Sequence, residues 1–299
     1  MNMTKRGEVD MSRIAFRSGL RSRFSMLVFA LAASAMLVAC GGGGSDGDTS
    51  ISTVPPPIVN PVPPPAVTPP PLYPPEGMWV GTTDTNRYVY GFVLNTTEYW
   101  VLYSSQSNPD IIAGAIQGTS TVIPGPIVGT TATGDLTSAN AKDFNLEGAG
   151  ILDASILASY VERQSFYGTV SYTTPPSSAK FAATYDKRWE LTPTLVSLAG
   201  SFTGAAAVLG GSEPTTLTIT STGSISGSGA SGCTFSGTAA PHVRGNVFDV
   251  SITFGGGTCS NGTDTVSGIG YYDIATKRLW GTALNATRSN GFIFAGSKP

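Results

Sequence analysis

Residues 215–227 read TTLTITSTGSISG, and this stretch decides the fold class. Large and small side chains alternate with a period of two on both sides of Thr222 and Gly223, where a tight turn is expected. Such alternation is typical of a half-buried β-strand, and the turn joins two such strands into an antiparallel hairpin. The segment therefore predicts antiparallel β-structure here.

The same pattern extends over residues 76–299. Strand-like runs separated by turn residues fill this region, charged residues make up only 12% of the chain, and glycine is abundant with 37 residues. This composition favours many short strands with tight turns over helices. One run, residues 151–162 (ILDASILASYVE), fits neither period cleanly, so we assign it to a strand with a short helix as the alternative.

The region from residue 76 onward divides into two similar halves. Residues 77–81 (GMWVG) and 198–204 (LAGSFTG) share an entry in which small residues flank an aromatic one. A boundary near residues 189–194 gives a first β module at 76–190 and a second at 191–299. We expect each to be an antiparallel meander closed into a small β-barrel, because closure removes exposed strand edges. A two-sheet β-sandwich is the alternative.

The first 40 residues have the character of an export signal. Six basic residues precede an apolar run at 24–39, which is shorter than the roughly 20 residues that a helix needs to cross a bilayer. The run ends in Leu37-Val38-Ala39-Cys40, directly before four glycines. This pattern resembles the lipobox of bacterial lipoproteins. The resemblance implies removal of residues 1–39, attachment of diacylglycerol to Cys40 and acylation of the new amino end. Because Gly41 rather than Asp follows the cysteine, it also favours the outer membrane.

Residues 40–75 are expected to form a disordered tether between the lipid and the first module. Residues 41–50 are rich in glycine, and residues 54–75 (VPPPIVNPVPPPAVTPPPLYPP) are rich in proline. Proline fixes φ and donates no N–H, which favours an extended polyproline II segment over a folded domain.

Charge and cysteine content agree with an envelope protein. Without residues 1–39 the chain has 11 basic and 17 acidic residues, a net charge of −6, which disfavours nucleic acid as a partner. If Cys40 carries lipid, Cys233 and Cys259 remain as one pair in an oxidising compartment, and a disulfide is expected. The alternatives are two free thiols or a metal-binding pair.

Further residues support a resemblance to known proteins. The entry motifs, the hairpin at 215–227, Gly232-Cys233-Thr234-Phe235-Ser236-Gly237 and the closing GFIFAGSKP resemble a group of two-module lipoproteins of proteobacteria. These motifs are structural and carry no activity with them. A looser resemblance, to lipocalin-like and avidin-like meander barrels, rests on the Gly-x-Trp entry and the strand rhythm.

The sequence contains no pattern typical of a catalytic, metal or cofactor site. His242 is the only histidine, no GxSxG occurs, and the carboxylates Asp249, Asp264 and Asp273 are scattered. We expect His242 to be a solvent-facing loop residue. No catalytic residue, metal ligand or cofactor is therefore predicted, and the protein is not expected to be an enzyme.

Aromatic residues are the remaining candidates for function. Trp79, Tyr88, Tyr90 and Trp100 are the candidate ligand-binding residues, since Tyr and Trp are common binding anchors. The alternative is that they fill the barrel core. We expect a lipid-anchored, non-enzymatic binding module whose partner is an envelope protein, a glycan or a small apolar ligand. The alternative function is a structural or adhesin-like surface component, and a hydrolase is the least favoured.

Overall fold

The computed structural model describes residues 75–299. The signal segment 1–39, the lipidation site Cys40 and the tether up to residue 74 lie outside the described residues. The described part is all-β, with 17 strands, one short 3-10 helix and one short α-helix. Within it, no helix is long and apolar enough to cross a membrane, and no group of three or more potential metal ligands occurs.

The first nine strands form an eight-stranded antiparallel barrel with one extra strand. Every strand except β4 pairs with the next along the chain, β1 pairs with β9, and β4 skips β5 and pairs with β6, so that the barrel closes. Strand β5 adds to the start of β6. The strands are β1 Gly77–Thr83, β2 Tyr88–Val93, β3 Glu98–Ser104, β4 Ile112–Thr119, β5 Thr121–Pro124, β6 Thr133–Asn145, β7 Gly150–Val161, β8 Ser165–Thr173 and β9 Pro176–Tyr185.

The remaining eight strands form a second closed antiparallel barrel, in which β10 pairs with β17. A 3-10 helix, Lys187–Glu190, and the helix α1, Leu195–Leu198, connect the two barrels. The strands are β10 Gly200–Val208, β11 Gly211–Ile219, β12 Ser224–Gly229, β13 Thr234–Pro241, β14 Phe248–Phe254, β15 Thr265–Asp273, β16 Arg278–Asn285 and β17 Gly291–Ser297.

The predicted pair of meander barrels is confirmed, and the β-sandwich is ruled out by the closed strand pairing. The run at 151–162 lies in strand β7, and the hairpin at 215–227 is formed by β11 and β12. Two strands were not expected: strand β5, and strand β6 over most of its length.

The two entry motifs have the same physical role. In each barrel the second glycine of the motif lies where the first strand meets the last. A Cβ atom would be 2.0 Å from the Ala182 carbonyl oxygen if added at Gly81, and 2.0 Å from the Ala295 carbonyl oxygen if added at Gly204. Only glycine permits so close an approach of two strands. In both barrels a glycine therefore lies at the point where the first and last strands pair.

The second barrel has an apolar interior. Phe202, Leu217, Ile252 and Val266 are buried inside it, and the rings of Phe235, Phe254 and Phe292 pack against one another at centroid distances of 5.4–6.0 Å. A void of about 30 Å³ remains among Leu217, Ile252, Phe292 and their neighbours. At one end Cys233 and Cys259 form a disulfide with Cα atoms 4.6 Å apart, which confirms the predicted pairing.

A third apolar cluster joins the two barrels, and residues 75–299 belong to one compact unit. Phe92 of the first barrel packs on Tyr271 of the second with ring centroids 5.5 Å apart. The side chain of His242 lies between Asp249 and Asn95 with only 9% exposed, so the expectation of a solvent-facing histidine is wrong. The reason is that its loop packs against the first barrel.

Candidate ligand-binding site

The first barrel encloses an apolar cavity of about 340 Å³. Alternate residues of its strands point inward, and most of the inward side chains are aliphatic or aromatic. The volume lies at the lower end of the range of about 300 to 1,000 Å³ that is typical of small-molecule sites. The apolar lining includes Trp79, Val89, Val93, Val101, Ile116, Leu136, Ile156, Phe166, Val170 and Phe181.

Two tyrosines keep the barrel hollow by lying along its wall. Tyr103 and Tyr99 on β3 pair with Gly114 and Gly118 on β4. A Cβ atom would be 2.1 Å from the Tyr103 hydroxyl oxygen if added at Gly114, and 2.4 Å from the Tyr99 hydroxyl oxygen if added at Gly118. Each ring therefore crosses a glycine of the neighbouring strand and reaches β6, instead of projecting towards the barrel axis.

The hydroxyl groups of these tyrosines find partners on β6. Tyr99 donates to Ser138 Oγ at 2.8 Å, and Tyr103 donates to Asp143 Oδ1 at 2.7 Å. From β8, Tyr172 donates to Asp143 Oδ2 at 2.9 Å. Both carboxylate oxygens of Asp143 thus accept a hydrogen bond from an aromatic hydroxyl inside the barrel.

Burial governs the protonation of this cluster. Asp143 is only 2% exposed, and its burial raises its pKa, against the opposing effect of the two tyrosine hydrogen bonds and the charge of Arg87. Burial also raises the pKa of Tyr103 and of Tyr172, and the adjacent Asp143 carboxylate adds to both shifts. Both tyrosines therefore stay protonated and act as donors to Asp143.

The cavity opens at the end of the barrel where Asp143 lies. Four connections between strands contribute lining residues there, namely Thr85, Gln106, Ala149 and Pro175. The guanidinium of Arg87 lies 5.3 Å from the centre of the Tyr103 ring and pairs with Glu147 at 2.6 Å. The mouth of the cavity is therefore polar, in contrast to the apolar lumen.

The opposite end is closed by aromatic packing. The ring of Trp79 lies 5.3 Å from that of Phe166 and 5.5 Å from that of Tyr185, centroid to centroid. Its indole Nε1 donates to the Pro75 carbonyl at 3.0 Å, which fixes the chain where it enters β1. A ligand that enters from the mouth would therefore meet Trp79 deep in the lumen.

The structure separates the four predicted ligand-binding residues. Trp79 lines the cavity, whereas Tyr88 lies on the outer face and is 48% exposed. Tyr90 and Trp100 point towards the second barrel, where Tyr90 stacks on Trp280 at a centroid distance of 5.9 Å. The alternation of β2 places Tyr88, Tyr90 and Phe92 on one face, and that face is outside the barrel. A role of these four residues in ligand binding stays a prediction.

Arg87, Tyr103, Asp143 and Tyr172 were not among the predicted ligand-binding residues. One signal could have indicated Tyr103: the four-residue spacing from Tyr99 to Tyr103 matches that from Gly114 to Gly118. In an antiparallel pair of strands, equal spacing on both strands means that if one tyrosine lies opposite a glycine, the other tyrosine does so too. Asp143 gave no such signal, because its partners lie on strands remote in sequence.

The second barrel differs from the first in its interior. Its end next to the disulfide carries a depression of about 200 Å³, lined in part by Glu213, Ser231 and Asn261. Phe235, Phe254 and Phe292 also line this depression, and a separate void of about 30 Å³ lies among Leu217, Ile252 and other residues of the same barrel. The first barrel is therefore the better candidate for holding a ligand.

Comparison with known proteins returns only distant structural similarity. No protein-family model matches the chain, and no match occurs among curated proteins. A double mutant of transferrin binding protein B (TbpB) from Haemophilus parasuis Hp5 aligns with 10% identity and a TM-score of 0.26, over 71% of this chain and 65% of that one. The intact Ap-TbpB, with N and C lobes, aligns with 12% identity and a TM-score of 0.25, over 70% and 54%. The chain thus spans less than two thirds of either structure.

Proposed function

We propose that the protein is a lipid-anchored, non-enzymatic binding protein whose first barrel takes up a small apolar ligand. The observation that supports this proposal is the apolar cavity of about 340 Å³ in the first barrel, which is larger than the pockets of about 200 Å³ and about 30 Å³ in the second barrel. Burial of apolar surface would drive binding, at about 0.8 kcal/mol for each methylene group removed from water. The polar mouth would orient the ligand.

We test uptake with a series of 1-alkanols of increasing chain length, followed by calorimetry and by tryptophan fluorescence, to which Trp79 at the closed end is one of four contributors. Affinity should rise about fourfold for each added methylene until the lumen is full. Gly91 lines the cavity, and a Cβ atom there would meet its nearest neighbours at 3.7 Å, which is ordinary contact. Gly91→Leu should therefore fill the lumen without straining the wall and should weaken binding of 1-decanol at least about tenfold.

The matched control is Ala182→Leu, which adds a leucine side chain at an exposed position of β9 on the outer face. It should leave alkanol binding unchanged. If Gly91→Leu binds 1-decanol as the unmodified protein does, or if both variants lose binding equally, the lumen is not the binding site.

We further propose that Cys40 carries the lipid that holds the protein at the outer membrane, and that residues 40–75 are the tether of the modules 76–190 and 191–299. The resemblance of residues 37–40 to a lipobox and the proline content of 54–75 support this arrangement. Cys40→Ser should leave the signal uncleaved and abolish lipidation, as measured by the mass of the amino-terminal peptide and by metabolic labelling with a fatty acid. A labelled, processed Ser variant would disprove the assignment.

A further inference from the structure

The cluster around Asp143, at the mouth of the cavity, offers a hydrogen-bond acceptor rather than a donor. The hydroxyl protons of Tyr103 and Tyr172 are both directed at Asp143. Asn145 donates to the Tyr103 oxygen at 3.0 Å, and its own amide oxygen accepts from the backbone N–H of Glu147 at 2.9 Å. A carboxylate can accept about four hydrogen bonds, and these tyrosines supply two. The unused capacity of Asp143 therefore suits a ligand that donates.

The charges at the mouth favour a cation. Arg87 and Glu147 are the charged groups that act on Asp143, and they form an ion pair with each other at 2.6 Å. Arg87 also donates to the Ser104 carbonyl at 2.8 Å, which holds its guanidinium at the rim. Two carboxylates and one guanidinium leave the mouth with an excess of one negative charge when Asp143 is ionised. A buried carboxylate without a balancing cation is costly, and a bound cation would remove that cost.

We propose that the ligand of this cavity is an amphipathic amine, with its apolar body in the lumen and its ammonium group donating to Asp143. This inference rests on the proposed function and adds the chemical class of the ligand. An ammonium carries three donors and no acceptor, which complements a cluster whose hydroxyl protons are already committed. The apolar body would extend past Val101 and Leu136 towards Trp79.

The test compares three probes that share one alkyl chain: decylammonium, 1-decanol and decanoate. Their dissociation constants are measured at neutral pH by calorimetry on the full chain. Decylammonium should bind at least about tenfold more tightly than 1-decanol, because its ammonium donor carries a charge opposite to that of the Asp143 carboxylate, whereas the alkanol hydroxyl is neutral. Decanoate should bind more weakly than 1-decanol, because it meets Asp143 with like charge.

Asp143→Asn should abolish the preference for decylammonium, measured as the ratio of the dissociation constants of 1-decanol and decylammonium in that variant. The control is Asp153→Asn, which removes a carboxylate from β7 whose side chain is 74% exposed and pairs with Lys142. It should leave all three dissociation constants unchanged. Tyr172→Phe offers a second variant, since it frees one lone pair of Asp143 and should retain or increase the preference.

The outcomes separate this inference from the proposed function. Equal or tighter binding of 1-decanol than of decylammonium overturns the amine assignment, as does a preference that survives in Asp143→Asn or disappears in Tyr172→Phe. In each of these cases an apolar cavity that binds 1-decanol still stands. If none of the three probes binds, the proposed function itself fails.

Discussion

At the scale of single residues, Asp143 is the most unusual feature of the first barrel. A carboxylate that is 2% exposed normally requires partners, because an unpaired buried charge is costly. Here the partners are two tyrosine hydroxyls, and O–H donors to a carboxylate form comparatively strong hydrogen bonds. The same bonds hold Tyr103 against the wall. Asp143 thus has a structural role in keeping the lumen open, in addition to the proposed contact with a ligand.

The pH dependence of stability should report on Asp143. Burial raises its pKa above the ordinary value of 3.8, so the folded state binds more protons than the unfolded state between these two values. The stability contributed by this group is therefore complete below the ordinary pKa and is lost as pH rises through the folded pKa. Asparagine does not titrate, so Asp143→Asn should gain stability relative to the unmodified protein as pH rises from about 4 to neutral.

Urea unfolding of both proteins over this range of pH measures that difference. The tyrosines, Arg87 and Glu147 around position 143 are common to both proteins, so the titration of Asp143 dominates the comparison. Asp153→Asn serves as the exposed control and should show a much smaller trend. A free-energy difference between Asp143→Asn and the unmodified protein that does not vary with pH would contradict a raised pKa in the folded state.

At the scale of elements, strand β6 shows why part of the barrel could not be predicted. Residues 133–143 (TGDLTSANAKD) contain few apolar residues, and a register shift between Ser138 and Ala141 interrupts the alternation. Ser138 and Asp143 nevertheless face the interior. They are satisfied by Tyr99 and Tyr103, which lie 39 and 40 residues away in the chain. A polar strand becomes compatible with a barrel interior only through such remote partners, and local periodicity does not reveal them.

Strands with regular alternation were predictable, and so was part of the lining of the site. The hairpin of β11 and β12 follows from its period and its turn, where Gly223 adopts a φ of 85°. The matched spacing of Tyr99 and Tyr103 with Gly114 and Gly118 was available in the sequence as well. Its meaning depends on the register of β3 and β4, which the turn residues between them do not fix.

At the scale of the whole molecule, the number and type of barrels could be predicted, but their contact could not. The two entry motifs indicate two closures of the same kind. By contrast, β2 (YVYGFV) carries apolar or aromatic residues on both faces. That pattern indicates burial on both sides without identifying the partner, which proves to be β15 and β16 of the second barrel. The aromatic residues assigned to ligand binding by their type therefore include two that join the barrels.

The contact between the barrels should make them unfold together. Phe92 is 1% exposed and packs on Tyr271 across this contact, so Phe92→Ala should cost about 3–5 kcal/mol in the free energy of unfolding. Because this loss weakens the coupling between the barrels, calorimetry should show one transition for the unmodified protein and two for Phe92→Ala. The matched control is Leu136→Ala, because the Leu136 side chain is 1% exposed and lies inside the first barrel, away from the contact. This variant should lower the transition temperature but keep a single transition. Two independent transitions in the unmodified protein, with Phe92→Ala moving only one of them, would show that the shared cluster does not couple the barrels.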